Sequence, residues 1–470
     1  MRAFLADELH VYVPEHAPWD VFNHGTWNRA LDGDLPERVG DGQSQLSKQR
    51  GLPSTIGDWR PPKVLVYDLV SRSVTDRTAD IANASPADAN RLLTTLGMRA
   101  AGSFGGVALL GGPSLNGAIN LFAFDTSTGS YLGSTTLTAY GNIRHFLVAD
   151  GALYAGVGLG VNGASGGRIL RWTGSRTDPF AFVEVGDLPD QAADLTVFHG
   201  RVFVSTWVPR GTNPDLAGLW MSPPLRSDGL TTVDATNWHE VWSVSRYEPD
   251  PLVATTYNVG ALATYDGYLY WGTMHVPFQA DFQFQAAHPP TSQAEATADA
   301  QDTQRATVLF RGRDFGTDRQ KVGLLYGEST LPAFDPGTNA WQPTSTRYTP
   351  LYGASGFGNA FNNYTWTMGV AAGRLYVGTM DWSFIAHDLI PARPVDPAGF
   401  GADLWTFRSS AGPATAVDTT GLGNYLNYGI RTMVTDGTTL YLGMADPMNL
   451  RTDPSAGPEG GWELIQLDTR

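Results

Sequence analysis

The 470-residue chain contains no cysteine. This absence excludes disulfide bridges, thiolate metal sites and a cysteine nucleophile. Lysine is nearly absent as well, because Lys48, Lys63 and Lys321 are the three lysines among 31 basic residues. The formal net charge of −15 makes nucleic acid and anionic membrane surfaces poor partners.

Long apolar runs are also missing. No stretch of about 18 apolar residues exists, so the sequence predicts no membrane span. The first residues, MRAFLADELHVYV, lack the basic start and long apolar core of a secretory signal. We therefore expect a cytoplasmic protein, or an extracellular or periplasmic one if a leader has been removed.

What the chain does contain is a series of short β-rich apolar runs, such as VLVYDLV, RVFVSTW and LYVGTM. Its 54 glycines and 30 prolines suit tight turns between such strands. Amphipathic helical windows are scarce, and the best of them is PADANRLLTTLG (86–97). This pattern predicts an all-β fold.

An internal repeat is the strongest signal in the sequence. Residues 356–381 align without a gap with residues 421–446, and ten of the 26 positions are identical. Each copy reads as a strand, a tight turn and a second strand ending in LYVGTMD or LYLGMAD. Looser copies follow the same template and lie at 1–16, 98–112, 142–158, 193–208 and 258–275.

Seven such units, each followed by a second pair of strands, predict a seven-bladed β-propeller that forms one domain over 1–470. Six and eight blades are the alternatives. The repeat resembles those of the loosely defined bacterial β-propeller repeat proteins, whose blades carry a second strand of the G-x-LYVGT type. That resemblance implies a fold and no particular activity.

The ends of the second strands carry titratable residues. In a propeller these ends would meet at the mouth of the central channel, so we expect His275, Asp381, Asp446 and Glu15 to form one cluster, with His16 beside it. Such a cluster suits general acid–base catalysis, in which crowding raises one carboxyl pKa. It also suits a Ca²⁺ or other divalent site.

The starts of the first strands carry arginines. The aligned positions are occupied by Arg2, Arg99, Arg144 and Arg431, with Trp366 at the equivalent place in another repeat. Arg2 with Glu15 and Arg431 with Asp446 are candidate ion pairs, whereas Arg99 and Arg144 have no matching acid in the repeat. We expect these arginines to bind a carboxylate, phosphate or sulfate.

Long segments between strands are predicted on the same face as the clustered residues. They span 17–62, 276–305, 382–401 and 447–459, and the composition of 285–304 is typical of irregular chain. Trp382 opens one of them, and Trp207 ends the second strand RVFVSTW. These aromatic side chains are candidate ligand contacts.

Structural explanations compete with each of these assignments, since a strand-end Asp often caps its own turn and a single His is often part of a core. Three functions stay open. Binding of a glycan or small anionic ligand comes first, because no catalytic signature is present. A hydrolase or lyase acting on an ester, lactone or sugar acid is the alternative, and a docking propeller for a protein partner is the third.

Overall fold

The structure, a computed structural model, describes residues 2–6, 62–208, 216–383, 386, 395–445 and 463–470. The chain forms two compact units. The first unit comprises 1–12, 43–209 and 220–240, and the second comprises 13–42, 210–219 and 241–470. Both are built mostly from antiparallel β-sheets, as predicted. Over the described ranges, no helix has the length and apolar character that crossing a membrane requires.

The sheets of the first unit follow chain order. Their strands are β1 (Arg2–Ala6), β2 (Val64–Asp68), β3 (Val74–Asp76); β4 (Ala100–Phe104), β5 (Val107–Pro113), β6 (Ile119–Asp125), β7 (Tyr131–Leu137); β8 (Asn142–Ala149), β9 (Ala152–Gly158), β10 (Gly167–Trp172), β11 (Phe182–Leu188); and β12 (Gln191–Phe198), β13 (Arg201–Trp207). β14 (Gly218–Met221) and β15 (His239–Ser243) span the unit boundary.

Short helices accompany these sheets. α1 (Thr78–Ala82) and α2 (Pro86–Thr94) precede β4, and 3₁₀ turns lie at Val161–Gly163 and Thr232–Asp234. α2 falls inside the predicted helical window. Its N-cap is Ser85, whose hydroxyl accepts the Asp88 N–H at 3.1 Å, and Pro86 occupies the first helical position.

The second unit repeats the same plan. Its strands are β16 (Tyr257–Tyr265), β17 (Tyr268–His275), β18 (Leu309–Arg313), β19 (Lys321–Tyr326); β20 (Thr330–Asp335), β21 (Ala340–Ser345); β22 (Asn362–Ala371), β23 (Arg374–Asp381), β24 (Leu404–Phe407), β25 (Thr415–Asp418); and β26 (Gly429–Asp436), β27 (Thr439–Ala445), β28 (Leu464–Asp468). Its helices are α3 (Pro251–Ala254), α4 (Gln279–Ala287) and α5 (Gln293–Thr303), with 3₁₀ turns at Val244–Arg246, Ser355–Gly358 and Pro397–Gly399.

Tight turns join the first and second strands of the repeats, as the sequence predicts. Both central residues have positive φ in five of the six described turns of this kind, for example Asp150 (42°) with Gly151 (72°) and Asp266 (47°) with Gly267 (76°), whereas in the β26–β27 turn Gly437 (60°) has positive φ and Thr438 does not. Two central residues with positive φ match the right-handed twist of the flanking strands. The Asp-Gly and Ala-Gly pairs of the repeat are therefore hairpin turns.

The apolar core lies between consecutive sheets of each unit. In the second unit Tyr376 and Leu404 pack against Ile430 and Leu442. The glycine of the LYVGT-like strand allows this approach, because a Cβ on Gly378 would lie 2.7 Å from Ile430. At the same place in the preceding repeat, a Cβ on Gly272 would lie 2.2 Å from Thr365. The repeated glycine thus reflects close sheet packing.

Most first strands contain a β-bulge near their start. The register shifts between Ile143 and His145 in β8, between Thr365 and Thr367 in β22, and between Ile430 and Thr432 in β26. The extra residues are Arg144, Trp366 and Arg431. A bulge redirects the side chain that it carries, so these three predicted site residues occupy one structurally special position.

The segment 276–305 differs from its prediction as a long irregular loop. It contains α4 and α5. The Ser292 hydroxyl caps α5 by accepting the Glu295 N–H at 3.1 Å, and the Glu295 carboxylate in turn accepts the N–H and hydroxyl of Thr291. Capping and packing outweigh the polar composition that suggested an irregular chain.

Candidate functional site

Two of the predicted strand-end residues belong to the described part of the chain. His275 pairs with Tyr257 across its hairpin, and Asp381 pairs with Asn362 in the next repeat. They therefore occupy corresponding ends of two second strands, as the repeat predicts. Glu15, His16 and Asp446 lie outside the described residues, as does the side chain of Arg2.

His275 is buried in the second unit. Its Nε2 lies 3.1 Å from Thr273 Oγ1, and its ring meets Tyr257 edge-on with 3.8 Å between centroids. Burial, reinforced by the nearby Arg305 charge, holds the pKa of His275 well below its usual value. The imidazole is thus neutral at physiological pH.

Asp381 is buried as well, and it is held by its own loop. Its Oδ1 accepts the Ser383 N–H (2.8 Å) and the Ser383 hydroxyl, while Asn359 Nδ2 donates to Oδ2 at 2.7 Å. Burial raises the pKa of Asp381 to about 7, and the Asp403 charge adds to the rise. The hydrogen-bond partners of Asp381 differ from those of His275, so each side chain has a separate local support.

A metal centre has no support within the described ranges. No three His, Asp or Glu side chains there group as metal ligands would. Of the predicted metal ligands, His275 and Asp381 are the two that belong to the described residues. Each of these side chains has a protein hydrogen-bond partner, Thr273 for His275 and Asn359 for Asp381.

Two of the predicted arginines lie against aromatic rings. In the first unit the Arg144 guanidinium lies 3.9 Å from the Trp207 ring centroid. In the second unit the Arg431 guanidinium lies 5.1 Å from Trp366. Arg99 donates through Nη1 to Asn142 Oδ1 at 3.3 Å. Residues predicted separately as ligand contacts thus form two cation–π pairs.

His275 and Trp382 line one small cavity of about 30 Å³ in the second unit. Asn363 connects them, because Trp382 Nε1 donates to Asn363 Oδ1 (2.9 Å) and Asn363 Nδ2 donates to the main-chain oxygen of His275 (3.1 Å). The structure therefore brings these two predicted residues to the same place. Gln304 and Arg305 form another side of this cavity.

A larger cavity of about 280 Å³ adjoins the same two residues, Gln304 and Arg305. Its lining has three levels of exposure. The buried part consists of Tyr247, Tyr257, Arg305, Val308 and Leu331; the partly buried part consists of Gln304, Ala306, Glu328 and Ser355; and the exposed rim consists of Gln301 and Ala360. This gradient from buried to exposed residues describes a pocket that opens to solvent.

A buried ion pair supports the larger cavity. Arg305 and Glu248 side chains are 3% and 0% exposed, and they are joined by Nε to Oε2 (2.8 Å) and Nη2 to Oε1 (3.0 Å). The Tyr257 hydroxyl also donates to Glu248 Oε2 at 2.6 Å. Burial opposes the charged form of Arg305, but Glu248 outweighs this effect and raises the Arg305 pKa.

The sequence gives no indication of this arrangement. Glu248 and Arg305 are 57 residues apart and belong to no repeat position. The lining residues of the larger cavity likewise come from scattered elements, namely β16 (Tyr257), β20 (Leu331), α5 and the segments that connect strands. A repeat-based prediction finds equivalent positions in each repeat, whereas this pocket is built where one repeat departs from the others.

Comparisons with known proteins concern the fold. No protein family and no curated protein matches the chain. Among solved structures, the hypothetical selenium-binding protein from Sulfolobus tokodaii is 10% identical, with a TM-score of 0.44 and coverage of 87% of this chain and 88% of that one. Kuenenia stuttgartiensis hydrazine synthase is 10% identical, with a TM-score of 0.43 and coverage of 87% and 90%.

The β-propeller domain of the Trilobed protease from Pyrococcus furiosus is also similar. It is 8% identical, with a TM-score of 0.36 and coverage of 88% of this chain and 91% of that domain. With TM-scores below 0.5, these likenesses carry no argument about this chain.

Proposed function

We propose that the repeats are the seven blades of one propeller domain over 1–470. The placement of the first strands supports a propeller arrangement. In the first unit β4 contacts β8 and β8 contacts β12, while in the second unit β16 contacts β22 and β22 contacts β26. First strands that neighbour one another from repeat to repeat are expected where blades surround a common axis.

We further propose that the protein binds a small polar molecule in the larger cavity of the second unit. The observation that carries this proposal is the pocket itself. It combines a buried aromatic and apolar base with hydrogen-bonding walls at Gln304, Glu328 and Ser355. Its volume of about 280 Å³ is near the lower end of the range of roughly 300–1,000 Å³ seen for ligand sites.

The predicted His275 and Trp382 support this site from the adjoining cavity. They are fixed by Asn363 and by the ring of Tyr257, which also lines the larger pocket. Their proposed role is to hold the wall between the two cavities. Arg144 with Trp207 and Arg431 with Trp366 remain proposed ligand contacts at the bulges, where a planar ligand group would face a cation and an aromatic ring.

Acid–base catalysis is the second candidate, and one observation favours it. Asp381 has a pKa raised to about 7, which is the range that suits a general acid or base at neutral pH. His275, Asp446 and Glu15 would be its proposed partners, acting on an ester, lactone or sugar acid or through a bound cation, with His16 as a further ligand. Loss of any such turnover in Asp381→Asn, with the melting temperature retained, would support this candidate.

The binding proposal is tested by closing the pocket at its rim. Ala360 is exposed and contributes its main-chain oxygen to Gln304 Nε2 (3.2 Å), so Ala360→Trp changes the side chain alone. Saturation-transfer NMR against a library of small polar fragments should give binders to the natural protein that Ala360→Trp loses.

Ala411→Trp, at an exposed loop position, is the matched control and should keep those binders. If Ala360→Trp retains every fragment that the natural protein binds, the pocket is not the ligand site and the proposal fails.

A further inference from the structure

Resting on the proposed function, we infer that the ligand of the larger cavity is a neutral polyhydroxylated ring of the sugar class and not an anion. Both ligand classes were open at the level of the sequence. The hydrogen bonds of Arg305 and the placement of Glu328 distinguish them.

Arg305 is the one cationic side chain that lines the cavity within the described residues, and its donors are fully used. Nε and Nη2 donate to Glu248, and Nη2 also donates to the main-chain oxygen of Pro332 (2.8 Å). Nη1 donates to the main-chain oxygens of Asp302 (2.6 Å) and Gln304 (3.1 Å). A guanidinium has five N–H groups, so Arg305 has none left for a carboxylate or phosphate.

The charge of the cavity also opposes an anion. Glu248 balances Arg305 through the buried pair. Glu328 is the remaining ionisable carboxylic acid in the described lining, and it leaves the wall with a negative charge. An anionic ligand would therefore meet a like charge in a partly desolvated site without a cationic donor to compensate it.

Glu328 is positioned to accept hydrogen bonds from ligand hydroxyls. Its Oε1 accepts the Ser355 N–H (3.0 Å) and the Ser355 hydroxyl (2.8 Å), which fixes the carboxylate plane. Its main-chain N–H donates to the Tyr247 hydroxyl at 2.9 Å, which ties this segment to the buried base of the pocket. Oε2 can accept from one or two hydroxyls of a ligand.

The remaining lining suits a ring with both polar and apolar faces. Gln301 and Gln304 carry amides, which can donate to and accept from hydroxyl groups. Tyr257, Val308 and Leu331 provide an apolar part of the lining. A sugar ring presents hydroxyls at its edge and C–H groups on its face, and the pocket volume accommodates one such ring.

The test compares one set of rings in two charge states. Glucose, galactose and mannose and their uronic acids are titrated by saturation-transfer NMR and calorimetry into the full chain. We expect at least one neutral sugar to bind, its uronic acid to bind at least tenfold more weakly, and Ala360→Trp to abolish binding. Glu328→Gln should weaken the neutral sugar about tenfold or more, because a hydrogen bond to a charged acceptor is lost.

Asp318→Asn is the matched control, because it removes one carboxylate from an exposed loop of the same unit and should leave affinity unchanged. Uronic acids that bind as tightly as the neutral ring and are lost in Ala360→Trp would overturn the ligand class and leave the pocket proposal intact. If no sugar binds but the natural protein still binds polar fragments that Ala360→Trp loses, the ligand class is likewise overturned and the pocket proposal stays intact. If Ala360→Trp loses neither sugars nor fragments, both proposals fail.

Discussion

Two neighbouring repeats of the second unit, 356–381 and 421–446, share a sequence pattern but hold the carboxylates beside them differently. In both, an Asn at or just before the start of the first strand donates to a glycine carbonyl. Asn362 donates to Gly356 (3.0 Å), and Asn427 donates to Gly421 (3.1 Å). Those glycines have φ of 61° and 70°, which explains their identity in both copies.

The same Asn side chains then reach a carboxylate that precedes the third strand. Asn362 donates to Asp403 at 2.7 Å, whereas Asn427 donates to Glu463 at 2.7 Å. Glu463 is longer by one methylene and also accepts from Asn424 at 3.1 Å. Asn359, the counterpart of Asn424, donates instead to Asp381.

As a consequence, the buried polar atom that lacks a hydrogen-bond partner is a different one in each repeat. Among the described residues, Asp403 Oδ1 and Asn427 Oδ1 are buried without a hydrogen-bond partner. In the first repeat the Thr379 hydroxyl satisfies Asn362 Oδ1 at 2.8 Å. Met444 occupies the position of Thr379 in the second repeat and offers no hydroxyl to Asn427. The residues shared by the two repeats therefore preserve the loop. Residues that differ between them determine which buried polar atom lacks a hydrogen-bond partner.

The largest effect is expected when the shared Asn is removed from each repeat. Asn362→Ala loses three buried hydrogen bonds and leaves their partners unsatisfied, so we expect a loss of about 4 kcal/mol in the free energy of unfolding. Asn427→Ala loses two hydrogen bonds and also removes an unsatisfied oxygen, so we expect about 2 kcal/mol. Urea denaturation of both variants measures the difference.

Asn237→Ala is the control, because that side chain is exposed and bonds locally to the Val233 carbonyl. It should change stability by less than about 0.5 kcal/mol. Equal losses for Asn362→Ala and Asn427→Ala would show that the Thr379 hydrogen bond contributes nothing.

The repeat phase was predictable from sequence because it depends on local features. Hairpin turns such as Asp266-Gly267 and the close-packed Gly378 impose residue types that can be read without a structure. The bulge positions of Arg144 and Arg431 were found as aligned residues, but their contacts with Trp207 and Trp366 depend on the neighbouring repeat. Alignment gives equivalence between positions and does not give the direction of a side chain.

The pocket was not predictable for a different physical reason. It depends on the Glu248–Arg305 pair and on Glu328, which come together through long-range packing in one repeat. The helical content of 276–305 had a local signal that polar composition obscured. Ser292 followed by Glu295 is a capping pattern, and it would have identified the start of α5.

A smaller effect is expected from the pH dependence of stability, and it concerns Asp403. Burial raises the pKa of Asp403 to about 6, although Asn362 and Trp405 donate to its Oδ2. The folded state therefore holds the proton more tightly than the unfolded state, whose ordinary value is 3.8 for a model Asp. This stabilisation is complete below about pH 4 and is lost as pH rises through about 6.

Asp403→Asn mimics the protonated form, since an amide nitrogen can replace the unpartnered Oδ1 while the oxygen keeps both donors. We expect this variant to be more stable than the natural protein above pH 7 by about 2 kcal/mol, with a flatter dependence of unfolding free energy on pH. Part of the slope should remain, because Asp381 has a pKa of about 7. Chemical denaturation at pH 5, 6, 7 and 8 measures both effects.

Glu463→Gln is the matched variant in the other repeat. Both Glu463 oxygens accept from Asn side chains, so the new amide nitrogen would face a donor and stability should fall at every pH. A pH slope that Asp403→Asn leaves unchanged would contradict the assignment of this titration to Asp403.

The smallest effect is expected at Thr379, the residue that distinguishes the two repeats. Its hydroxyl donates to Asn362 Oδ1 at 2.8 Å and accepts the Asp403 N–H at 2.9 Å. Thr379→Val keeps the shape and removes both hydrogen bonds, so we expect a loss of about 1.5 kcal/mol. Met444→Leu, the control at the equivalent position, removes no hydroxyl and should cost less than about 1 kcal/mol.

The losses of stability in Thr379→Val and Asn362→Ala should not add, because Asn362→Ala has already lost the acceptor of the Thr379 hydroxyl. A double-mutant cycle should therefore give a coupling of about 1 kcal/mol between these two sites. Additive losses would mean that the Thr379 hydroxyl acts through Asp403 alone, and the difference between the repeats would then lie in the carboxylate.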